Sequence, residues 1–241
     1  MVKDSRKNRK LNLFLFILPI ALLIFLLPLF TLTKPGVLGK YLGLKLMVYE
    51  TTRISSIAGP CDNLTFYKSE IMVTYIYGED NRPIPGANGA PVNMANNKKA
   101  RDPSWEQLVW FLKCDNTDKE KYIDNVFNCV DYAEKLQNNA ANAGWKAAFV
   151  GIDIRDDATD NVSGHAINAF QTTDYGLVYI DCTRFKDETA YDADKLVKVE
   201  AGKQYQATYI FPSRIVPVFL DYHFNYTVLN IDLIEWPMTE W

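Results

Sequence analysis

Histidine and cysteine are scarce in this sequence, and that scarcity limits the metal chemistry open to it. The chain has two histidines, His165 and His223, and four cysteines, with no two cysteines in CxxC spacing. A structural zinc site needs four Cys or His ligands, usually in closely spaced pairs. The sequence therefore predicts no metal site.

The sequence also lacks a surplus of basic residues. Its net charge is −3, and five of its 26 Lys and Arg residues lie among the first ten positions, so the rest of the chain is acidic. An acidic body has no electrostatic reason to bind nucleic acid. Hydrophobic residues make up 48% and charged residues 23%, which excludes a disordered chain and allows one domain with extensions, or at most two small domains.

An apolar run without charge extends from Leu11 to Leu32, directly after the basic start. About 20 apolar residues span a bilayer, whereas the core of a signal peptide has only about 7–15. We expect residues 1–34 to form a cytoplasmic tail and a single membrane-spanning helix, with the C-terminal body outside the cell. A cleaved signal peptide is the alternative, because Pro19 and Pro28 interrupt the run.

The next part of the chain, residues 35–100, is predicted to be an extracytoplasmic segment of strands and loops. Ile71 to Tyr77 is rich in β-branched and aromatic residues, as strands are. Gly78 to Asn97 is rich in Gly, Pro and Asn, which predicts a long surface loop. Residues 101–241 are predicted to form an α+β domain.

Helical spacing of apolar residues predicts a helix from about Trp105 to Lys113, capped by Asp102 or Ser104, and a second helical piece around 119–126. Strands are predicted later in the chain, at 146–154, 165–171, 177–183, 204–211 and 216–228.

A third helix is predicted from Cys129 to Ala143. Asn128 is a good N-cap for it, and Gly144 is a good C-terminal stop. Apolar residues repeat along one side of this helix, so Asp131 and Glu134 are predicted to lie on its solvated face. A thiol at the start of a helix is acidified by the helix dipole, which makes Cys129 a candidate nucleophile. With Cys129 free, at most one disulfide can form within the chain.

A histidine and an acid follow Cys129 on predicted strands. If residues 172–174 form a three-residue hairpin loop, His165 lies directly across from Asp181, with the two Cβ atoms about 5 Å apart. An imidazole can then polarise the thiol while the carboxylate fixes its tautomer. Cys129, His165 and Asp181 are therefore the predicted catalytic residues.

Four short segments resemble one enzyme family. Residues 128–133 and 143–147 look like the cysteine helix and the following strand of the transglutaminase-like branch of papain-like cysteine enzymes. Residues 164–168 resemble the histidine strand of that family, and residues 178–183 resemble its acid-bearing strand. The resemblance covers about residues 100–185 and implies a papain-like core, in which the cysteine helix packs on an antiparallel sheet.

The resemblance also implies a function. It predicts a thiol enzyme that acts on amide or peptide bonds of a protein or peptide through a thioester, without a cofactor, and the predicted anchor makes this enzyme membrane-anchored and extracytoplasmic. The resemblance does not separate hydrolysis from transfer to an amine, and hydrolysis is preferred because it requires only one bound substrate. The backbone N–H of Cys129 is a natural oxyanion donor, and the indole of Trp105 or Trp110 is a second candidate. The alternative function is a binding or structural module at the cell surface that keeps the fold without catalysis.

Overall fold

The computed structural model describes residues 61, 71–184, 193–211 and 222–238, and it shows an α+β fold with two α-helices and eight strands in those ranges. The predicted anchor, residues 11–32, lies outside the described residues. No helix within the described ranges is long and apolar enough to cross a membrane.

The first helix, α1, spans Trp105–Cys114 and begins with a capping box. The Ser104 side chain accepts a hydrogen bond from the Gln107 amide, and the Gln107 side chain accepts one from the Ser104 amide. Ser104 is therefore the cap among the two predicted candidates. The helical piece predicted around 119–126 is wrong: a single 3₁₀ turn at Thr117–Lys119 is followed by turns and a short bridge.

The second helix, α2, spans Cys129–Asn142, so its predicted start is confirmed and its end falls one residue early. Gly144 follows with φ of +81°, a left-handed conformation that glycine adopts without steric cost.

Six antiparallel strands form a closed barrel in which each strand pairs with its neighbours in chain order, and the last strand pairs with the first. Closure leaves no free sheet edge within the barrel. The sequence predicted an antiparallel sheet but neither its closure nor the fourth of these strands. The strands are β3 (Ala148–Asp156), β4 (Val162–Thr172), β5 (Gly176–Asp181), β6 (Lys195–Lys198), β7 (Gln204–Tyr209) and β8 (Tyr222–Glu235).

Alternation along the strands divides the apolar residues into an inner and an outer set. Val150, Ile167 and Val197 belong to the cluster that fills the barrel. Phe170 and Ile180 point the other way, into a second cluster that joins the barrel to α1 and α2. The helices are thus held on one outer face of the barrel by apolar packing.

Asn168 fastens α2 to the barrel at one buried point. Its side-chain amide donates to the carbonyl of Ala133 on α2 at 2.9 Å and to the carbonyl of Ala148 on β3 at 3.2 Å. A buried amide that joins two backbones fixes the helix against sliding along the sheet. The position of Cys129 at the start of α2 is therefore set by the barrel.

Two further strands, β1 (Ile71–Tyr75) and β2 (Asn93–Asn97), form a separate antiparallel pair that packs on α2. The prediction of a surface loop throughout 78–97 is therefore wrong, because β2 is largely buried and its amides bond to α2. The Asn93 amide donates to Glu134, and the Ala95 amide donates to Gln137 and Asn138.

The polar side of α2 is consequently not a solvated face, as the sequence predicted. The Asp131 carboxylate accepts hydrogen bonds from the Ala87 amide at 3.0 Å and from the Asn128 amide at 2.9 Å. The periodicity of apolar residues could not reveal this, because a polar stripe that binds backbone amides has the same pattern as one that faces water.

A disulfide joins Cys61 to Cys114 at the end of α1, and Cys129 and Cys182 are free. This agrees with the expectation of at most one bridge. Cys182 is buried, and burial raises its pKa well above the usual thiol value, so this second free thiol is inert.

Candidate active site

Two of the three predicted catalytic residues contact each other directly, since His165 Nε2 lies 3.1 Å from Asp181 Oδ2. The Cys129 thiol lies close enough to the imidazole for their charges and hydrogen-bonding capacity to shift the pKa of both groups. Because Nε2 faces Asp181, Nδ1 is the ring nitrogen left for the sulfur. The carboxylate is fully buried and the imidazole is 10% exposed, so water scarcely competes for either group.

Cys129 owes its place to the helix cap. The Asn128 side chain accepts from the amides of Val130 and Asp131, and the Asp131 carboxylate returns a bond to the Asn128 amide. Asn128 and Asp131 therefore occupy the amides around Cys129 and leave its own N–H without an acceptor among the described residues. An N–H at a helix start beside the nucleophilic sulfur is a donor that can stabilise an oxyanion.

The pKa of Cys129 is lowered from its ordinary value. Burial alone raises the pKa of the half-buried thiol, but hydrogen bonding to His165 and the charge of its ring lower it, as does a hydrogen bond from the Ala166 amide. The favourable contacts outweigh burial, so the thiolate forms more readily than in a free cysteine.

His165 and Asp181 show the matching shifts. Burial lowers the pKa of His165, but the charge of Asp181 and the hydrogen bonds to Asp181 and Cys129 raise it to about 10. Burial raises the pKa of Asp181, but the charges of Lys195 and His165 and the hydrogen bonds it accepts hold that pKa well below its ordinary value. The arrangement therefore favours a thiolate, an imidazolium and a carboxylate held together.

The loop of the hairpin that brings His165 to Asp181 lies one residue later in the chain than predicted. Thr172 pairs with Gly176, so the three-residue loop is 173–175 instead of 172–174. Continuing this register places Asp181 across from Ile167 and makes it a diagonal neighbour of His165, where direct opposition was predicted. Both registers keep the two side chains on one face, because moving the pairing by two residues preserves the alternation.

Two residues of the site were not predicted from the sequence. The Tyr205 hydroxyl donates to Asp181 Oδ2 at 2.7 Å, so one carboxylate oxygen serves both Tyr205 and His165. Lys195 is fully buried and is paired with Asp181 in the register between β5 and β6. A lysine in a short apolar segment carries no sequence signal of burial, and Tyr205 looked like any strand tyrosine.

Trp105, one of the two candidate oxyanion donors, is held at the loop of the hairpin. The Trp105 amide donates a hydrogen bond to Asp174, in the loop of the hairpin, at 2.8 Å. Thr172 and His165 are seven positions apart on β4, which is about 20 Å at the usual rise of a strand. Trp105 is therefore anchored at the end of the hairpin away from His165, and its buried indole N–H has no hydrogen-bond partner. Its predicted role as an oxyanion donor stays a prediction.

Trp110 lies on the same helix and is half-buried, and its predicted role as an oxyanion donor stays a prediction. The other histidine, His223, lies on β8, where its backbone pairs with Gln206. Within the described ranges, no group of three or more His, Cys, Asp or Glu side chains is arranged to hold a metal ion.

Comparisons with known proteins found no match. No family model matches the chain, and neither a curated protein nor a solved structure matches it. Any function must therefore be argued from the site itself.

Proposed function

We propose that this protein is a thiol enzyme that acts on amide or peptide bonds, with Cys129 as the nucleophile, His165 as the acid and base, and Asp181 as the group that orients His165. The observation that carries the proposal is the bond between His165 and the buried Asp181, with Cys129 near the same imidazole at the start of α2. The resemblance of residues 100–185 to transglutaminase-like enzymes supports the same chemistry.

In the first half of the reaction, the Cys129 thiolate attacks the carbonyl carbon of the substrate. The carbonyl oxygen takes up the negative charge and is stabilised by the Cys129 N–H. When the tetrahedral intermediate collapses, the C–N bond breaks and the imidazolium of His165 gives its proton to the departing amine. The acyl group remains on sulfur as a thioester.

In the second half, neutral His165 removes a proton from water, which attacks the thioester carbon. Collapse of this intermediate releases the carboxylic acid and returns the sulfur as a thiolate, with the proton on His165. An amine in place of water gives a new amide by the same steps. We prefer hydrolysis, because it requires only one bound substrate.

The setting we propose is the outer face of a cell membrane, with residues 11–32 as the anchor and a protein or peptide as the substrate. The apolar run supports the anchor because its length matches a bilayer. The Cys61–Cys114 disulfide supports an exported body, because disulfides persist in oxidising compartments.

The first test measures the reactivity of each free thiol in the full-length chain, purified in detergent. Iodoacetamide alkylation is followed from pH 5 to pH 10 by mass spectrometry. We expect Cys129 to react with a midpoint below the free thiol value of about 8.5, and His165→Ala to move that midpoint up towards it. Cys182 is an internal control, because its burial should keep it unreactive while the chain is folded.

A peptide library with mass-spectrometric detection of cleavage then tests catalysis, with Cys129→Ala as the inactive control. Adding a primary amine separates transfer from hydrolysis, because transfer yields a new amide. If Cys129 reacts only above about pH 8, the thiol is not activated, and the binding or structural module becomes the better explanation.

A further inference from the structure

Asp181 has two partners besides His165. These two residues lie on strands that carry none of the three proposed catalytic residues. Tyr205 on β7 and Lys195 on β6 both lie in the buried layer around Asp181. We propose that Tyr205 and Lys195 are positioning residues, which hold Asp181 ionised and aimed at His165 and thereby determine how strongly the Cys129 thiol is activated. This inference rests on the proposed function.

The hydrogen bonds at Asp181 leave the carboxylate little freedom. Oδ2 accepts from Tyr205 at 2.7 Å and faces His165 Nε2 at 3.1 Å, while Oδ1 accepts from the Thr183 amide at 2.8 Å. Rotation of the carboxylate would break the bonds on both oxygens together. The Tyr205 bond thus selects the oxygen that His165 meets.

The Tyr205 ring contributes to the same constraint. Its edge meets the His165 ring at a centroid distance of 5.9 Å and an interplanar angle of 86°. The imidazole therefore has Asp181 on one nitrogen and an aromatic ring beside it. Tyr205 contacts both members of the pair, so it can fix their mutual orientation.

Lys195 supplies the positive charge that a buried carboxylate needs. Its Nζ donates to the carbonyls of Thr183 and Ala193, both at 2.7 Å, and lies 5.5 Å from the centre of the Tyr209 ring. These contacts hold the ammonium group in place on the strand next to Asp181. A fixed cation beside a desolvated carboxylate favours its ionised form.

The other charged groups near Asp181 act on the same balance. His165 and Lys195 favour the ionised carboxylate, and hydrogen bonds from His165 and Tyr205 add to this effect. Cys129 acts on the imidazole from α2. Asp194, next to Lys195 in the chain, is also buried. Removing Lys195 should therefore weaken the activation of Cys129 without abolishing it.

The test measures the alkylation midpoint of Cys129 in full-length Lys195→Met and Tyr205→Phe. Methionine keeps most of the lysine volume without its charge, and phenylalanine keeps the ring without the hydroxyl. We expect Lys195→Met to move the midpoint up by about one pH unit, which is about a tenfold slower reaction below the midpoint. Tyr205→Phe should slow the reaction about threefold.

Matched controls separate this effect from general damage. Lys198→Met removes a lysine from the same strand, where the side chain is exposed and pairs with Glu200 at 3.9 Å. Tyr179→Phe removes a hydroxyl from another residue that packs on the barrel cluster. Both should react like the unmodified protein. In an Asp181→Asn background, Lys195→Met and Tyr205→Phe should have no further effect, since they act through Asp181.

A second readout follows the histidine directly. NMR of histidine labelled with ¹³C at Cε1 should show the His165 titration moving to lower pH in both variants, with His223→Gln used to assign the two signals. Folding is checked by circular dichroism, and should Lys195→Met fail to fold, Tyr205→Phe decides the question. Folded variants with unchanged midpoints and an unchanged His165 titration would overturn the positioning roles alone. An unmodified chain whose Cys129 reacts as an ordinary thiol would instead reject the proposed function.

Discussion

Gly86 gives the sharpest test of how the loop before β2 is joined to the cysteine helix. A Cβ added at this position would lie 2.7 Å from Asp131 Oδ1, and real Cβ atoms essentially never approach an atom that closely. The carboxylate cannot easily move away, because its other oxygen accepts from Ala87 and Asn128. Gly86→Ala must therefore disturb the hydrogen bonds that join the loop to α2.

The cost can be worked out from those two bonds. Hydrogen bonds to a charged group contribute about 1.5–3 kcal/mol each when buried, and Asp131 is only half-buried. If the displacement of the carboxylate removes about half of their combined strength, the free energy of unfolding falls by about 1–3 kcal/mol. For a chain of this size, that corresponds to a Tm lower by about 3–10 °C.

The assay is thermal unfolding followed by circular dichroism. Gly78→Ala is the matched control from the same loop, because its added Cβ would meet Asp80 at an ordinary 3.4 Å. In an Asp131→Ala background the clash is gone, so Gly86→Ala should cost nothing more. Equal Tm values for Gly86→Ala and Gly78→Ala would show that the loop is not held against α2 in this way.

Three further predictions address other parts of the chain. Asp181 has a lowered pKa when folded, so its contribution to stability is present above the unfolded pKa of about 3.9 and is lost as the pH falls below that value. Urea unfolding should therefore show a steeper loss of stability between pH 5 and pH 3 in the unmodified protein than in Asp181→Asn. Replacing both bridged cysteines, Cys61→Ser/Cys114→Ser, should cost about 2–4 kcal/mol in the same assay, since the bridge closes a loop of 53 residues, and a reducing agent should then have no further effect. Asn128→Ala should lower the free energy of unfolding by about 1 kcal/mol and raise the alkylation midpoint of Cys129. Asn128→Ser, which can still cap the helix, should restore both values. A midpoint unchanged by Asn128→Ala would show that the cap does not position the thiol.

Local signals predicted the elements of the site well. Asn128 and Gly144 mark the ends of α2 because capping depends on a few adjacent residues, and the pairing of His165 with Asp181 depends only on the alternation within one hairpin. The exact register could not be predicted, since the residues 172–176 allow the same loop length one position further along. The observed register differs from the predicted one by two residues, which leaves His165 and Asp181 on the same face of the sheet, so the two side chains still meet.

Contacts between residues distant in the chain could not be predicted from the sequence, for a physical reason. The pairing of β3 with β8 joins residues about 80 positions apart, and no local pattern specifies such a partner. Asp131 was predicted to lie on a solvated face, and Lys195 was not singled out, because burial of a charge depends on partners from other elements. Tyr205 and Ala87, the partners of the two carboxylates, are distant in the chain from the groups they bind.

Closure of the barrel bears on when the proposed nucleophile would become reactive. β3 receives its second neighbour only when β8 pairs with it, and β8 comes last among the described strands. One of the strands on which α2 packs, β3, therefore lacks its second neighbour until β8 has been made. Under the proposed function, the alignment of Cys129 with His165 depends on this packing, and a growing chain would not expose an activated nucleophile. Chemical reactivity in this protein would then be a late product of folding, and the alkylation rate of Cys129 would report that the barrel has closed.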